Sequence, residues 1–373
     1  MIKVLCVVGT RPEALKMIPV IYALQQSSEF ECRIIATAQH RDMLDQVFNL
    51  FDIRADIDLD IMRDNQTLND LAGRMLIALQ DVLVQEKPQA IIAQGDTTTV
   101  LAAALSAFHH RIPFGHVEAG LRTGDLDNPF PEEMNRVLAS RLTQWHFAPT
   151  EIARDNLLQE GISAEQIFLT GNTIVDMVRL VNAKNYAPSL QLDASKRLIL
   201  VTAHRRENFG APLREIFQAI KKIADTNTDI QIVYPVHPNP NVAPLAHEIL
   251  ADHPRILLCE PLDYIAFLNL MKQTYLILSD SGGIQEEAIA LGKPLLLLRE
   301  QTERPEGVML GGVKMVGHEF DAIVNMAQAF LTQPEIYKAA ATCSSPYGDG
   351  YAADKIVQVL EGYFSRVAMP ENA

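Results

Sequence analysis

Apolar residues in this chain come in short runs separated by stretches with helical spacing. In the first half the runs are Val4 to Val8, Arg33 to Thr37, Ala90 to Ala93, Pro113 to Val117 and Trp145 to Ala148. Runs this short and this continuous read as strands covered on both faces, and the helical stretches between them predict a doubly wound parallel sheet. A polar stretch, Asn182 to Lys196, interrupts the pattern. It resumes with Leu198 to Thr202, Ile230 to Pro235, Ile256 to Leu258, Tyr275 to Ser279 and Pro294 to Leu298. The alternation therefore predicts two similar α/β domains, 1–180 and 196–351, joined by a linker at 181–195. From Tyr351 onward, Ile356, Val357, Val359, Leu360 and Phe364 form the apolar side of a final amphipathic helix.

Composition agrees with that division. A length of 373 residues exceeds one ordinary core, while 48% hydrophobic and 21% charged residues are typical of folded domains. No run approaches the roughly 18 apolar residues of a membrane span. The opening MIKVLCVVGTRPE has too short an apolar run for a signal peptide and reads as the first strand. With 32 basic against 46 acidic residues the formal charge is −14, which argues against a general nucleic-acid binder. A small anionic ligand would need a local basic pocket. Cys6, Cys32, Cys259 and Cys343 lack the spacing of a zinc site or a disulfide framework, so cytoplasm is the expected compartment.

The segment HVEAGLRTGDLDNPFPEEMNR, His116 to Arg136, carries the densest chemistry. Glu118 falls at the carboxyl end of an expected strand, where parallel sheets place their ligands. Pro131 at a first helical position makes Glu132 and Glu133 first-turn acids, and Arg136, one turn beyond Glu132, can pair with it. Taken singly, each of these acids also fits a structural role as a strand-end or helix-start charge.

Three further strand ends point to an anion. Gly9-Thr10-Arg11-Pro12-Glu13 has the spacing of a capping box, and it sets the Arg11 guanidinium beside helix N-terminal amides. Asp280-Ser281-Gly282-Gly283-Ile284-Gln285-Glu286-Glu287 offers a small-residue turn for a diphosphate, followed by an acid suited to ribose hydroxyls. His204, beside Arg205 and Arg206, and His237 end successive strands and face a shared anionic ligand on this reading. Neither a GxGxxG nor a GxxxxGK[ST] follows any strand, which removes the dinucleotide and P-loop readings. The YxxxK spacing of Tyr351 and Lys355 lies in a terminal helix without a glycine fingerprint and is a chance match, and the sequon at Asn65 has no use in a cytoplasmic protein.

Gly9 to Ala14, Gln94-Gly95-Asp96-Thr97-Thr98-Thr99, His116 to Thr123, Pro131-Glu132-Glu133, Gly171-Asn172-Thr173, Asp280 to Glu287, Thr302 to Glu306 and Pro346 to Gly350 together resemble the non-hydrolysing UDP-N-acetylglucosamine 2-epimerases, nearly end to end. The resemblance implies a glycosyltransferase-B-like fold, two Rossmann-like domains facing a cleft, with the helix at 352–373 returning to the first domain and the uridine diphosphate held mainly by the second. It implies interconversion of UDP-GlcNAc and UDP-ManNAc, no cofactor or metal, and a homodimer. By position it makes Asp96, Glu118 and Glu132 catalytic acids and His204 an active-site histidine. Arg11, Ser281, Gly282, Gly283 and Glu287 match nucleotide contacts, with Arg136 and His237 beside them. Some members resemble one another in a second, activating UDP-GlcNAc site. Gln39, Glu132 and His237 match it here, whereas Asp42 and Asn65 replace a glutamine and an arginine, which argues against that activation. Arg299-Glu300-Gln301-Thr302 likewise departs from the usual RDTT.

The chemistry explains such a set. C2 of the sugar has no adjacent carbonyl, so direct deprotonation is implausible. Departure of UDP from C1 acidifies the C2 hydrogen, and elimination gives a 2-acetamidoglucal. A base, an acid on the opposite face and cations for the diphosphate are then required. The expected Glu132–Arg136 pair favours Glu132 as the base. A glycosyltransferase of the same architecture, a hydrolysing epimerase releasing ManNAc and a catalytically dead nucleotide-sugar sensor are the competing readings.

Overall fold

The computed structural model describes residues 1–37, 41–63, 65–182 and 190–368, apart from the side chains of 41–43, 367 and 368. The chain divides into two compact units, Met1–Leu180 with Tyr347–Ala373, and Val181–Pro346. In the first, strands β1 (Ile2–Val8), β2 (Phe30–Ala36), β3 (Ile57–Asp58), β4 (Ala90–Gln94), β5 (Phe114–Val117), β6 (Trp145–Ala148) and β7 (Ile167–Leu169) form one parallel sheet ordered β3-β2-β1-β4-β5-β6-β7. In the second, β8 (Arg197–Thr202), β9 (Ile230–Pro235), β10 (Ile256–Cys259), β11 (Leu276–Ser279), β12 (Leu295–Leu297) and β13 (Val313–Met315) are ordered β10-β9-β8-β11-β12-β13. Both sheets alternate with helices and have the doubly wound, Rossmann-like form expected from the apolar runs.

Central strands bury every side chain. Val4 to Val8 of β1 and Ile91 to Ala93 of β4 are essentially inaccessible to solvent, which is why these segments are apolar without alternation. The edge strands β3, β7 and β13, by contrast, span two or three residues and are only partly buried. β3 and β13 therefore leave no apolar run in the sequence, whereas β7 is the short run Ile167-Phe168-Leu169.

Helices begin where polar side chains can satisfy their first amides. Thr10 opens Arg11–Gln26 as half of a capping box with Glu13, and Thr97 opens Thr98–His109 by accepting from the Thr99 amide. The final helix, Ala352–Ala368, starts on a different device. Asp176, in the helix Thr173–Asn182, accepts from the amides of Ala352 at 3.1 Å and Ala353 at 2.8 Å. The helix then lies against the first unit, with Ser27 donating to Glu361 at 2.8 Å and the ring of Tyr363 edge-on to Trp145 at 4.8 Å. Among the described residues no helix is long and apolar enough to cross a membrane.

In each sheet the order turns back between two adjacent strands, β1 beside β4 and β8 beside β11. The carboxyl end of such a switch point is the place where parallel sheets take ligands.

Candidate active site

In the first unit this switch point is closed by Glu13. Its Oε2 accepts from the amides of Gly9 at 2.6 Å and Thr10 at 2.9 Å, and its Oε1 accepts from Thr97 Oγ1 at 2.5 Å. One carboxylate thus ties the turn after β1 to the turn after β4. Burial pushes this carboxyl up to about 7, against the hydrogen bonds from Thr97, Gly9 and Thr10, and nearby Asp96 adds to the rise. The amides of Gly9 and Thr10, just ahead of the helix that Arg11 opens, are therefore occupied by the chain's own acid. Arg11 itself is partly exposed. Gly9 is required by space, since a Cβ there would come within 2.3 Å of Thr99 Oγ1 and 2.7 Å of Thr37 Oγ1.

Glu118 follows β5 with a left-handed backbone, φ 65°, an uncommon and costly conformation outside glycine. Its side chain is buried, forms an ion pair with Lys16 and accepts from Gln94 Nε2 at 2.5 Å. Asp96, in the turn after β4, pairs with Arg136 Nη2 at 2.9 Å, and its carbonyl accepts from Asn135 Nδ2 at 2.9 Å. The turn carrying Asp96 is thereby anchored to the helix Glu132–Leu142.

Arg136 does not pair with Glu132, contrary to the expectation from i,i+4 spacing. It is 4% exposed and reaches inward to Asp96 and to Glu133 Oε2 at 3.4 Å, whereas Glu132 is only half-buried. The guanidinium is matched where it is buried, by Glu133 and by Asp96 above it, because leaving it unpaired there would be far more costly. Glu133 in turn accepts from the amides of Thr123 and Gly124, both at 3.0 Å. Pro131 stands at the helix cap, one position before the place expected for it. The cation that was to favour Glu132 as base stands beside Asp96.

His116 and His146 sit opposite each other on β5 and β6. Burial holds them down to about 4 and about 3 respectively, so both are neutral. His116 Nε2 is 2.7 Å from the Gly95 carbonyl and steadies the Asp96 turn from below.

In the second unit Asp280 ends β11 completely buried. Its Oδ2 accepts from the amides of His204 and Arg205 at 2.9 Å each and from Asn208 Nδ2 at 3.1 Å, which joins the turns after β8 and β11. His204 and His237 stack with centroids 5.2 Å apart and planes at 12°. Ser281 caps the helix Gly282–Ala290 without a side-chain hydrogen bond of its own to that helix. A Cβ on Gly282 would meet Glu303 Oε1 at 2.8 Å and Arg304 Nη1 at 2.9 Å and displace those side-chain ends, while Gly283 faces open space. Glu287 accepts from Tyr264 at 2.8 Å inside the unit. Around the turn lies an ion cluster. Arg304 contacts Glu286 at 2.6 Å and also Glu303, and Arg299 bridges Glu207 at 2.9 Å and Glu303 at 3.2 Å. Burial would raise the Glu303 carboxyl, but Arg304 and Arg299 overcome it and hold the group near 2.

Each unit thus assembles part of the expected set. Asp96, Glu118, Arg136 and the opening of the Glu132 helix share the carboxyl end of the first sheet, while His204, His237, Ser281, Gly282, Gly283 and Glu287 share that of the second. Lys16, Gln94 and Arg304 are partners that the sequence reading left without a role. Lys16 alone carried a usable signal, a charge within the apolar stretch Ala14-Leu15-Lys16-Met17-Ile18. Of the positions compared with an activating site, Gln39 and the Asp42 side chain lie outside the described residues, and Asn65 is exposed with φ 55°.

The sequence pattern of the UDP-N-acetylglucosamine 2-epimerase family matches residues 22–361. A UDP-N-acetylglucosamine 2-epimerase of Yersinia pestis is 49% identical over 371 residues, spanning 97% of this chain and 99% of its own. The UDP-GlcNAc 2-epimerase of Neisseria meningitidis, solved with UDP-GlcNAc bound, superposes with a TM-score of 0.91 at 45% identity, covering 97% of this chain and 100% of that one. A glycosyltransferase of kitacinnamycin superposes with a TM-score of 0.67 at 12% identity over 95% of this chain and 98% of its own, a likeness of fold alone.

Proposed function

The chain belongs to the UDP-N-acetylglucosamine 2-epimerase family, and we propose that it interconverts UDP-GlcNAc and UDP-ManNAc by eliminating UDP to a 2-acetamidoglucal and adding it back. The observation that carries this reading is Glu118. A buried acid held in a left-handed backbone between Lys16 and Gln94 is costly to fold, and such cost gathers at reacting centres. Asp96, with Arg136 beside it, and Glu132 complete a set of acids able to take the C2 proton from one face and return it to the other. The pairing with Arg136 favours Asp96 as the base.

Loss of UDP places negative charge on the diphosphate. The Ser281-Gly282-Gly283 turn, His204, His237 and Arg11 are proposed to receive it, with Glu287 on the ribose. In this scheme electrons return to the same C1–O bond, so no redox cofactor is needed. The family's assembly suggests a homodimer, which sedimentation of the full chain would test.

Incubation with UDP-GlcNAc in heavy water tests the chemistry. UDP-ManNAc carrying deuterium at C2 is expected, with Asp96→Asn slower by about 10²- to 10⁴-fold. Turnover without deuterium at C2 overturns elimination, and free ManNAc as main product overturns the non-hydrolysing course.

A further inference from the structure

The scheme above uses His204 but gives Asp280 no part in it. Asp280 is fully buried, and only one of its oxygens is occupied. Oδ2 takes the three donors from His204, Arg205 and Asn208. Oδ1 accepts no hydrogen bond from the protein and lies 3.8 Å from His204 Nδ1. A carboxylate that merely stapled the loop would need one oxygen, and asparagine would serve there equally well. A second buried oxygen without a donor is costly, so it asks for a reason of its own.

The groups facing the imidazole supply one. Asp280 approaches from the end of β11, His237 stacks on it from the end of β9, and Arg205 neighbours it on its own loop. Burial, then His237 and Arg205, hold His204 below its ordinary value against the pull of Asp280. His237 Nδ1 accepts from the Asn239 amide at 3.2 Å, so its own proton sits on Nε2 when neutral.

We infer that Asp280 is the positioning residue for His204: its unused Oδ1 is the acceptor towards which Nδ1–H is held, which fixes the tautomer and supports the imidazolium once an anion has balanced Arg205. In the free protein His204 is then neutral with its proton on Nδ1. When a diphosphate arrives, one opposing charge is neutralised, Nε2 takes a proton from solvent and donates a hydrogen bond to the departing UDP. This rests on the proposed placing of His204 in the nucleotide-sugar site.

The test is nitrogen-15 NMR of the full chain with labelled histidines, the His204 signals being assigned by their loss in His204→Gln. The free protein should show the Nδ1–H tautomer, and added UDP should raise the pH at which His204 titrates. In Asp280→Asn that titration should fall by about one unit or more, UDP should no longer raise it, and the acidic limb of kcat/KM should move with it. An Nε2–H tautomer in the wild-type protein, or an unchanged titration in Asp280→Asn, overturns the inference. Should Asp280→Asn fail to fold, the wild-type tautomer decides alone. A protein that shows the histidine response but makes no UDP-ManNAc overturns the proposed reaction instead.

Discussion

Replacing Glu13 with glutamine is expected to alter the pH dependence of the first unit's stability far more than its structure. Glu13 is 3% exposed, and burial takes its carboxyl from 4.5 to about 7. Between those values the folded protein holds a proton that the unfolded chain has released. The stability contributed by the neutral carboxyl is therefore complete below pH 4.5 and is lost as pH rises through 7. At about 1.4 kcal/mol per pKa unit the loss is about 3 kcal/mol. Glutamine keeps an oxygen for the Gly9 and Thr10 amides and an amide group for Thr97 Oγ1, and it does not titrate.

The assay is supplied by the chain itself. Its one tryptophan, Trp145, is buried in β6 against Tyr363, so its fluorescence follows the unfolding of the first unit. Urea titrations from about pH 4.5 to pH 8 should show E13Q gaining about 3 kcal/mol relative to wild type, with the difference levelling above pH 7. Asp176, which burial takes to about 6, has the same sign in both proteins and cancels in the comparison. Parallel profiles would refute the reasoning, because they would mean that Glu13 titrates alike folded and unfolded.

Other substitutions read different parts of the same unit. Lys16→Met removes the ammonium from buried Glu118 and is expected to cost about 3–5 kcal/mol by Trp145 fluorescence, most of it recovered when Glu118→Gln is added. Asp176→Asn should remove a loss of about 3 kcal/mol that the wild-type protein shows as pH rises from 3.8 to about 6, and a slope left unchanged would mean that Asp176 titrates alike folded and unfolded. Gly120→Ala meets both a φ of 92° and the Ala153 carbonyl at 2.2 Å, so a loss of about 2–4 kcal/mol in the urea midpoint is expected, and a neutral result would show that the turn after Glu118 can relax.

What the sequence disclosed follows from how each element is buried. Strands covered on both faces must be apolar throughout, so β1, β4, β8 and β11 announce themselves. The strands β3 and β13 at sheet edges have less to bury and leave no such mark. Strand-end chemistry was legible for the same geometric reason, because a residue that follows a buried strand in a parallel sheet arrives at the ligand end whatever its neighbours are. That argument places Asp96, Glu118, His204 and Asp280, but it says nothing of their partners.

Partners are settled by faces and depth, which spacing along the chain does not encode. Arg136 is equally well spaced for Glu132 and for Glu133, and buried Glu133 and the Asp96 turn take it because a buried guanidinium must be matched where it lies. Glu13 illustrates the converse. Its capping-box spacing is local and legible, yet the bond to Thr97, across the switch point, makes it a clasp between two turns. Its other oxygen takes the amides of Gly9 and Thr10, just ahead of the helix. The glycine turn after β11 is built the other way: Ser281 opens its helix with no side-chain bond to the first amides, and Gly283 faces open space.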